Sequence, residues 1–148
     1  MRTADAAGAD AVVLAGDSAD PFSGKAIRAS AGSVFGLPVI DGGAVTTLLP
    51  TLAERGLRPI ATTGSAERDL DAALDAGELD TPTAWLFGNE DHGLPHVVIA
   101  SVPAWGGTPL RVPVYGSAES LNLAAAAAVC LYASARAQRK RPGEGVGG

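Results

Sequence analysis

The sequence predicts an α/β fold, a mostly parallel sheet with helices on both faces. Short apolar runs recur along the chain, several closing on Gly or Thr, and they have the character of buried strands. Between them lie segments with helical spacing and helix stop signals. Strands that alternate with helices form parallel sheets, since each return crossing needs a covering helix.

In chain order, "RTADAAG" reads as the closing turns of a helix whose beginning is absent, although a sheet of this type normally places a strand before it. "AVVLAG" (11–16) is the first expected strand, "SGKAIRAS" after Pro21 a helix, and "GLPVI" (36–40) the second strand. "AVTTLLPTLAERG" follows as a helix, with Gly56 placed to end it. "RPIATT" (58–63), "TAWLFG" (83–88) and "PLRVPV" (109–114) complete the strands, separated by the helical segments "ERDLDAALDAG" and "GLPHVVIAS". The last helix is expected from about Ser120 to about Arg139, with Ser120 as N-cap, Ala-rich turns of high propensity and basic residues at the end the helix dipole favours. Residues 1–141 are expected to form one domain around a single core, with 142–148 a flexible tail.

Composition excludes several classes of function. A chain of 148 residues, 47% hydrophobic and 18% charged, is globular. A formal charge of -5 argues against nucleic-acid capture by phosphate neutralisation alone, and the dense basic group is Arg136, Arg139, Lys140 and Arg141 near the end. The single cysteine, Cys130, has no partner for an internal disulfide and sits in an apolar run, so a buried thiol and a cytoplasmic location are expected. The longest apolar stretch, Leu121 to Ala133, is too short to cross a bilayer, and no membrane association is expected.

Spacing also dismisses motif look-alikes. "GDSADPFSGKA" has the Gly-Lys of a phosphate loop but too many residues after its first glycine, and Ala26 where a hydroxyl should hold magnesium. No G-x-G-x-x-G follows a strand. His92 and His96 have the spacing of zinc ligands, but Pro95 interrupts them and no third ligand is evident, so no metal is expected. Ser65 and Ser117 lack the strand-turn-helix elbow of a hydrolase nucleophile.

Two segments remain, "LFGNEDHGL" (86–94) and "VPVYGSAESLNLAAA", each a strand end that passes through a polar loop into a helix. In a parallel sheet such loops converge on one rim and form the ligand crevice, and "IATTG" opens on the same rim. Turn chemistry accounts locally for the first segment, and helix capping for Ser120 and Asn122.

In combination and in this order, these segments resemble the methylase domain of the SpoU family of RNA ribose 2'-O-methyltransferases, TrmH-like members of the SPOUT superfamily. "RTADAAGADAVVL" is similar to the end of the first signature region of that family, "LFGNEDHGL" to the second and "RVPVYGSAESLNLAAAAAVCLY" to the third. "KAIRASAGSVFGLPV" is similar to the stretch that follows the first region, so the likeness spans nearly the whole chain.

The resemblance implies a deep trefoil knot, S-adenosylmethionine as methyl donor, an rRNA or tRNA substrate, and a homodimer packed partly through the last helix. By it the cofactor lies against main chain at Thr62, Gly88, Val112 and Leu121, with Asn89 and Gly93 in the same loop. It further implies catalytic roles for Arg2, Glu90, Ser120 and Asn122, and RNA contacts for Arg2 and Arg28. Glu90 is the acidic residue expected to order its loop or lie near the cationic donor. Arg2 matches a residue assigned as general base, but a guanidinium holds its proton tenaciously, which favours pairing with an RNA phosphate or the nascent oxyanion. The family's first region begins with a strand and an Asn-x-Gly loop, whereas here only Met1 precedes Arg2. The chain is therefore expected to be incomplete at its amino end, and a non-catalytic dimerising or RNA-associated remnant is the alternative function.

Overall fold

The structure, a computed structural model, describes residues 1–16, 22–30 and 32–139. The expected tail at 142–148, and Lys140 and Arg141 of the basic cluster, lie outside the described residues. The elements are α1 (Arg2–Ala7), β1 (Val12–Ala15), α2 (Gly24–Ser30), α3 (Ser33–Gly36), β2 (Val39–Gly43), α4 (Val45–Glu54), β3 (Arg58–Thr62), α5 (Leu70–Asp75), β4 (Thr83–Leu86), α6 (His96–Ser101), β5 (Thr108–Leu110) and α7 (Leu123–Arg139). A 3-10 turn (Val102–Trp105) continues α6.

Every strand pairing is parallel, as the alternation of strands and helices requires. The single expected sheet is divided, however: β1 pairs with β2, and β3 lies between β4 and β5, with no ladder joining the two sets among the described residues. Helix α4 packs against both β2 and β3 and so spans the two sets.

Period-two alternation along β3 explains why helices cover both faces. Ile60 and Ala61, both fully buried, point to opposite sides. On one side Ile60 packs with Leu70, Ala73 and Leu79 from the α5 region, Leu110, and Cys130 and Ala137 from α7. On the other, Ala61 packs with Leu49 of α4 and Val102, flanked by Ile99 of α6. The expected single core is thus two clusters with the sheet between them.

Several boundaries differ from expectation for identifiable reasons. The last helix starts at Leu123, not Ser120, because Asn122 caps it: Asn122 Oδ1 accepts from the Ala125 N–H at 2.7 Å. Strand β5 ends at Leu110 because Arg111 turns its main chain to a different neighbour, donating to the Arg68 carbonyl at 3.0 Å and accepting from the Leu70 N–H at 2.9 Å. Strand β2 begins later than expected, after Leu37 and Pro38, and α3 precedes it where no separate helix was expected. Gly56 ends α4 as expected, with φ +76° directly after the cap residue Arg55. Gly8 ends α1 in the same way, at φ +79°.

Helix α7 is locked to β4 by one buried hydroxyl. Ser134, 5% exposed, accepts from Trp85 Nε1 at 2.8 Å and from Thr83 Oγ1 at 3.3 Å. Gln138 extends the lock, donating to the carbonyls of Leu79 and Thr81. Cys130, one turn earlier, is buried as expected, and burial pushes its thiol up to about 12. Ser134→Ala leaves the Trp85 indole N–H without its partner and is expected to destabilise the chain by about 1–3 kcal/mol. Urea unfolding followed by tryptophan fluorescence checks this.

Candidate functional site

The carboxyl ends of β4, β3 and β5 lie side by side, because the register sets Ala61 opposite Leu86 and Thr62 opposite Leu110. Thr62 closes β3, and Gly88 and Val112 follow closely on the ends of β4 and β5, so these three expected ligand contacts share one rim. Thr62 Oγ1 donates to the Leu86 carbonyl at 2.9 Å and ties the ends of two strands together.

The segment after β4 is folded onto itself. The Gly93 N–H donates to the Asn89 carbonyl at 3.0 Å, and Asn89 Oδ1 accepts from the His92 N–H at 2.7 Å. A Cβ at Gly88 would overlap the main chain of Gly93 and Leu94, and Gly93 itself has φ +65°. The close approach at Gly88 is therefore made by this loop's own backbone, and the Asn89 side chain serves the turn. Glu90 is different. It stands exposed at the tip of the loop, and among the described residues its carboxylate has no hydrogen bond or ion pair.

From Val112 to Leu121 the main chain makes no backbone hydrogen bond among the described residues, leaving its N–H and C=O groups to solvent or a ligand. The loop is anchored by a side chain instead: the Tyr115 hydroxyl donates to the Asp71 carboxylate in the first turn of α5. That hydrogen bond, then desolvation and the negative charges of Asp71 and Asp69, raise the phenol above its ordinary value of 10.0. Ser120 and Leu121 are exposed at the end of this loop, where Asn122 spends its side-chain oxygen on the cap.

Arg2 is exposed in the first turn of α1, and among the described residues its guanidinium has no ion pair. The Tyr132 hydroxyl donates to the Ala6 carbonyl at 3.3 Å, and a Cβ on Gly8 would sit 3.2 Å from the Arg139 guanidinium. Both contacts run α1 along α7 in the same sense, which puts Arg2 toward the end of α7 that carries Asn122. Arg28, in the last turn of α2, is exposed, and among the described residues no hydrogen bond or ion pair ties it to the rim. His92 and His96 gain no third ligand: no group of three metal-ligating side chains occurs among the described residues.

An open depression of about 320 Å³ borders the rim, lined by Thr63, Ser65, Arg68, Ile99, Thr108 and Pro109 among others. It flanks Thr62 but does not take in Gly88, Val112 or Leu121. The sequence does not mark Arg111 or Tyr115 as anchors, since no local pattern identifies a side chain whose partner lies far along the chain.

With this geometry in view, comparison with known proteins is specific. Residues 1–132 match the model of the SpoU rRNA Methylase family. The 23S rRNA (guanosine(2553)-2'-O)-methyltransferase RlmP of Bacillus subtilis is 35% identical over 135 residues, covering 89% of this chain and 50% of that protein. The AdoMet-bound rRNA methyltransferase of Sinorhizobium meliloti superposes with a TM-score of 0.78 at 34% identity, covering 91% of this chain and 49% of the other. A structure concerned with the 2-OH methylation of C/U34 on tRNA gives 0.77 at 28% identity, covering 95% and 86%. The chain spans about half the length of the first two relatives. A family match over most of its residues, joined to the same fold, establishes that this chain belongs to the SpoU rRNA methylase family.

Proposed function

We propose that the chain is the catalytic domain of an enzyme that transfers a methyl group from S-adenosylmethionine to a ribose 2'-hydroxyl of rRNA or tRNA. The observation that carries this reading is the convergence of Thr62, Gly88 and Val112 on one rim in a chain of this family. The residues present fit the cofactor. The uncommitted main chain from Val112 to Leu121 supplies donors and acceptors for an adenine edge, and Glu90 offers an unpaired carboxylate to a positive sulfur. When bound, the sulfonium supplies an activated methyl group.

The remaining work falls to positioning. A ribose hydroxyl is a very weak acid, so the protein must hold it in line and stabilise charge as its proton leaves. Ser120 and Asn122 are the polar groups at the mouth of the loop; the Asn122 amide nitrogen remains available after its oxygen has capped α7. Arg2 pairs with an RNA phosphate or with the developing oxyanion, and Arg28 extends the phosphate contact. The acidic chain, at -5, leaves these arginines to act locally rather than through a general positive field.

The reading includes a cytoplasmic homodimer and the trefoil knot of the family. Val129 and Tyr132, 43% and 52% exposed and three residues apart on α7, support a packed α7 face.

Incubation with methyl-labelled S-adenosylmethionine and rRNA or tRNA, followed by nuclease digestion, is expected to yield 2'-O-methylated nucleosides. A folded chain that binds the cofactor and gives none is the non-catalytic remnant instead. Arg2→Lys keeps the charge but loses the planar fork, and is expected to lower methyl transfer or RNA affinity by about tenfold. If rate and RNA binding both stay unchanged, Arg2 has neither role.

Tyr115 gives the loop a pH dependence of known sign. Its raised value means that the neutral phenol is the form favoured by the fold, so the anchor is complete below the ordinary tyrosine value and is lost as pH rises through the folded one. Ultraviolet titration of phenolate should find one tyrosine ionising late, and Asp71→Asn should bring that ionisation down.

A further inference from the structure

The loop after β3 follows Thr62, and much of what holds it comes from the residue just after β5. Its own bonds are few: the Ala66 N–H donates to the Thr63 carbonyl at 3.3 Å, and the hydroxyls of Thr63 and Ser65 lie 3.0 Å apart. At its ends the Thr63 N–H donates to the Leu110 carbonyl at 3.0 Å and Arg68 pairs with Glu78; Arg111, the residue after β5, holds the stretch between. One guanidinium nitrogen, Nη1, donates to two successive carbonyls, Ala66 at 3.0 Å and Glu67 at 2.9 Å. The other, Nη2, meets the Asp69 carboxylate at 3.5 Å. The Arg111 main chain pairs with Arg68 and Leu70, so one residue grips the loop from Ala66 to Leu70.

This grip joins two parts of the proposed ligand rim. Val112 follows Arg111 directly, and the segment Arg111 holds, Ala66 to Leu70, begins four residues after Thr62, the last residue of β3. We infer that Arg111 is a positioning residue for the adenosyl ligand: the ladder sets Thr62 opposite Leu110, and Arg111 carries that alignment beyond the strands by fixing the loop after Thr62 against the start of the loop that holds Val112. The inference rests on the methyltransferase reading above. Arginine suits the task because its planar fork reaches two carbonyls and a carboxylate at once, whereas the ammonium of lysine is a point charge. The rung formed by the Arg111 main chain does not depend on the side chain, so removing the guanidinium should loosen the loop without dissolving the sheet.

The test compares the full unaltered chain with Arg111→Gln, using S-adenosylhomocysteine as the calorimetric probe and amide hydrogen exchange as the structural one. The expected result is an affinity about tenfold weaker, the scale of losing charge-assisted hydrogen bonds. Faster exchange should be confined to Ser65, Ala66 and Glu67, with protection of Ile60 and Ala61 in β3 retained. A global role would move both sets together. Affinity that stays within about twofold overturns the inference, as does weaker binding accompanied by lost protection in β3. If the unaltered chain binds no S-adenosylhomocysteine, the methyltransferase reading falls and this inference with it; if it binds and the variant binds equally well, this inference alone falls.

Discussion

Strand β3 is the constraint on which the site depends. Its neighbours on both sides are parallel, and its residues Ile60 and Ala61 fill two different cores. Burial on both faces fixes its register, because a slip of one residue would exchange Ile60 for Ala61 and mismatch both helical layers. With that register fixed, the ends of β4, β3 and β5 are placed together, and so are the loops they carry.

The loops are held in different ways, each suited to its content. The segment after β4 is tied by its own short-range bonds around Asn89 and needs Gly88 and Gly93 to fold so tightly. The segments after β3 and β5 have few bonds of their own and borrow long-range partners, Arg111 for one and Asp71 for the other. These partners couple the two loops through α5 and the edge of β5. Such an arrangement leaves main chain exposed along the rim, while side chains fix the path of that main chain.

Charge is distributed to match. Arg58, Glu78 and Arg68 form a linked set beneath the β3 loop, with Glu78 paired to both arginines. Arg111 with Asp69 is likewise an internal pair. Glu90 and Arg2, by contrast, stand exposed without partners among the described residues. Paired charges build the scaffold here, and these two stay open to solvent.

Much of this was legible in the sequence. Apolar runs located β1, β3 and β4 closely, Gly56 ended its helix, and three signature segments pointed to the family, because each of these is a local property of consecutive residues. The helix start was misplaced between Ser120 and Asn122 because both are good caps, and only the path of the loop chooses which oxygen meets an N–H. The division of the sheet, the two cores on either side of β3, and the grips of Arg111 and Tyr115 were decided by the tertiary structure alone. Each depends on atoms distant in sequence, such as Arg111 and Glu67 or Tyr115 and Asp71, and no periodicity along the chain encodes which of them meet.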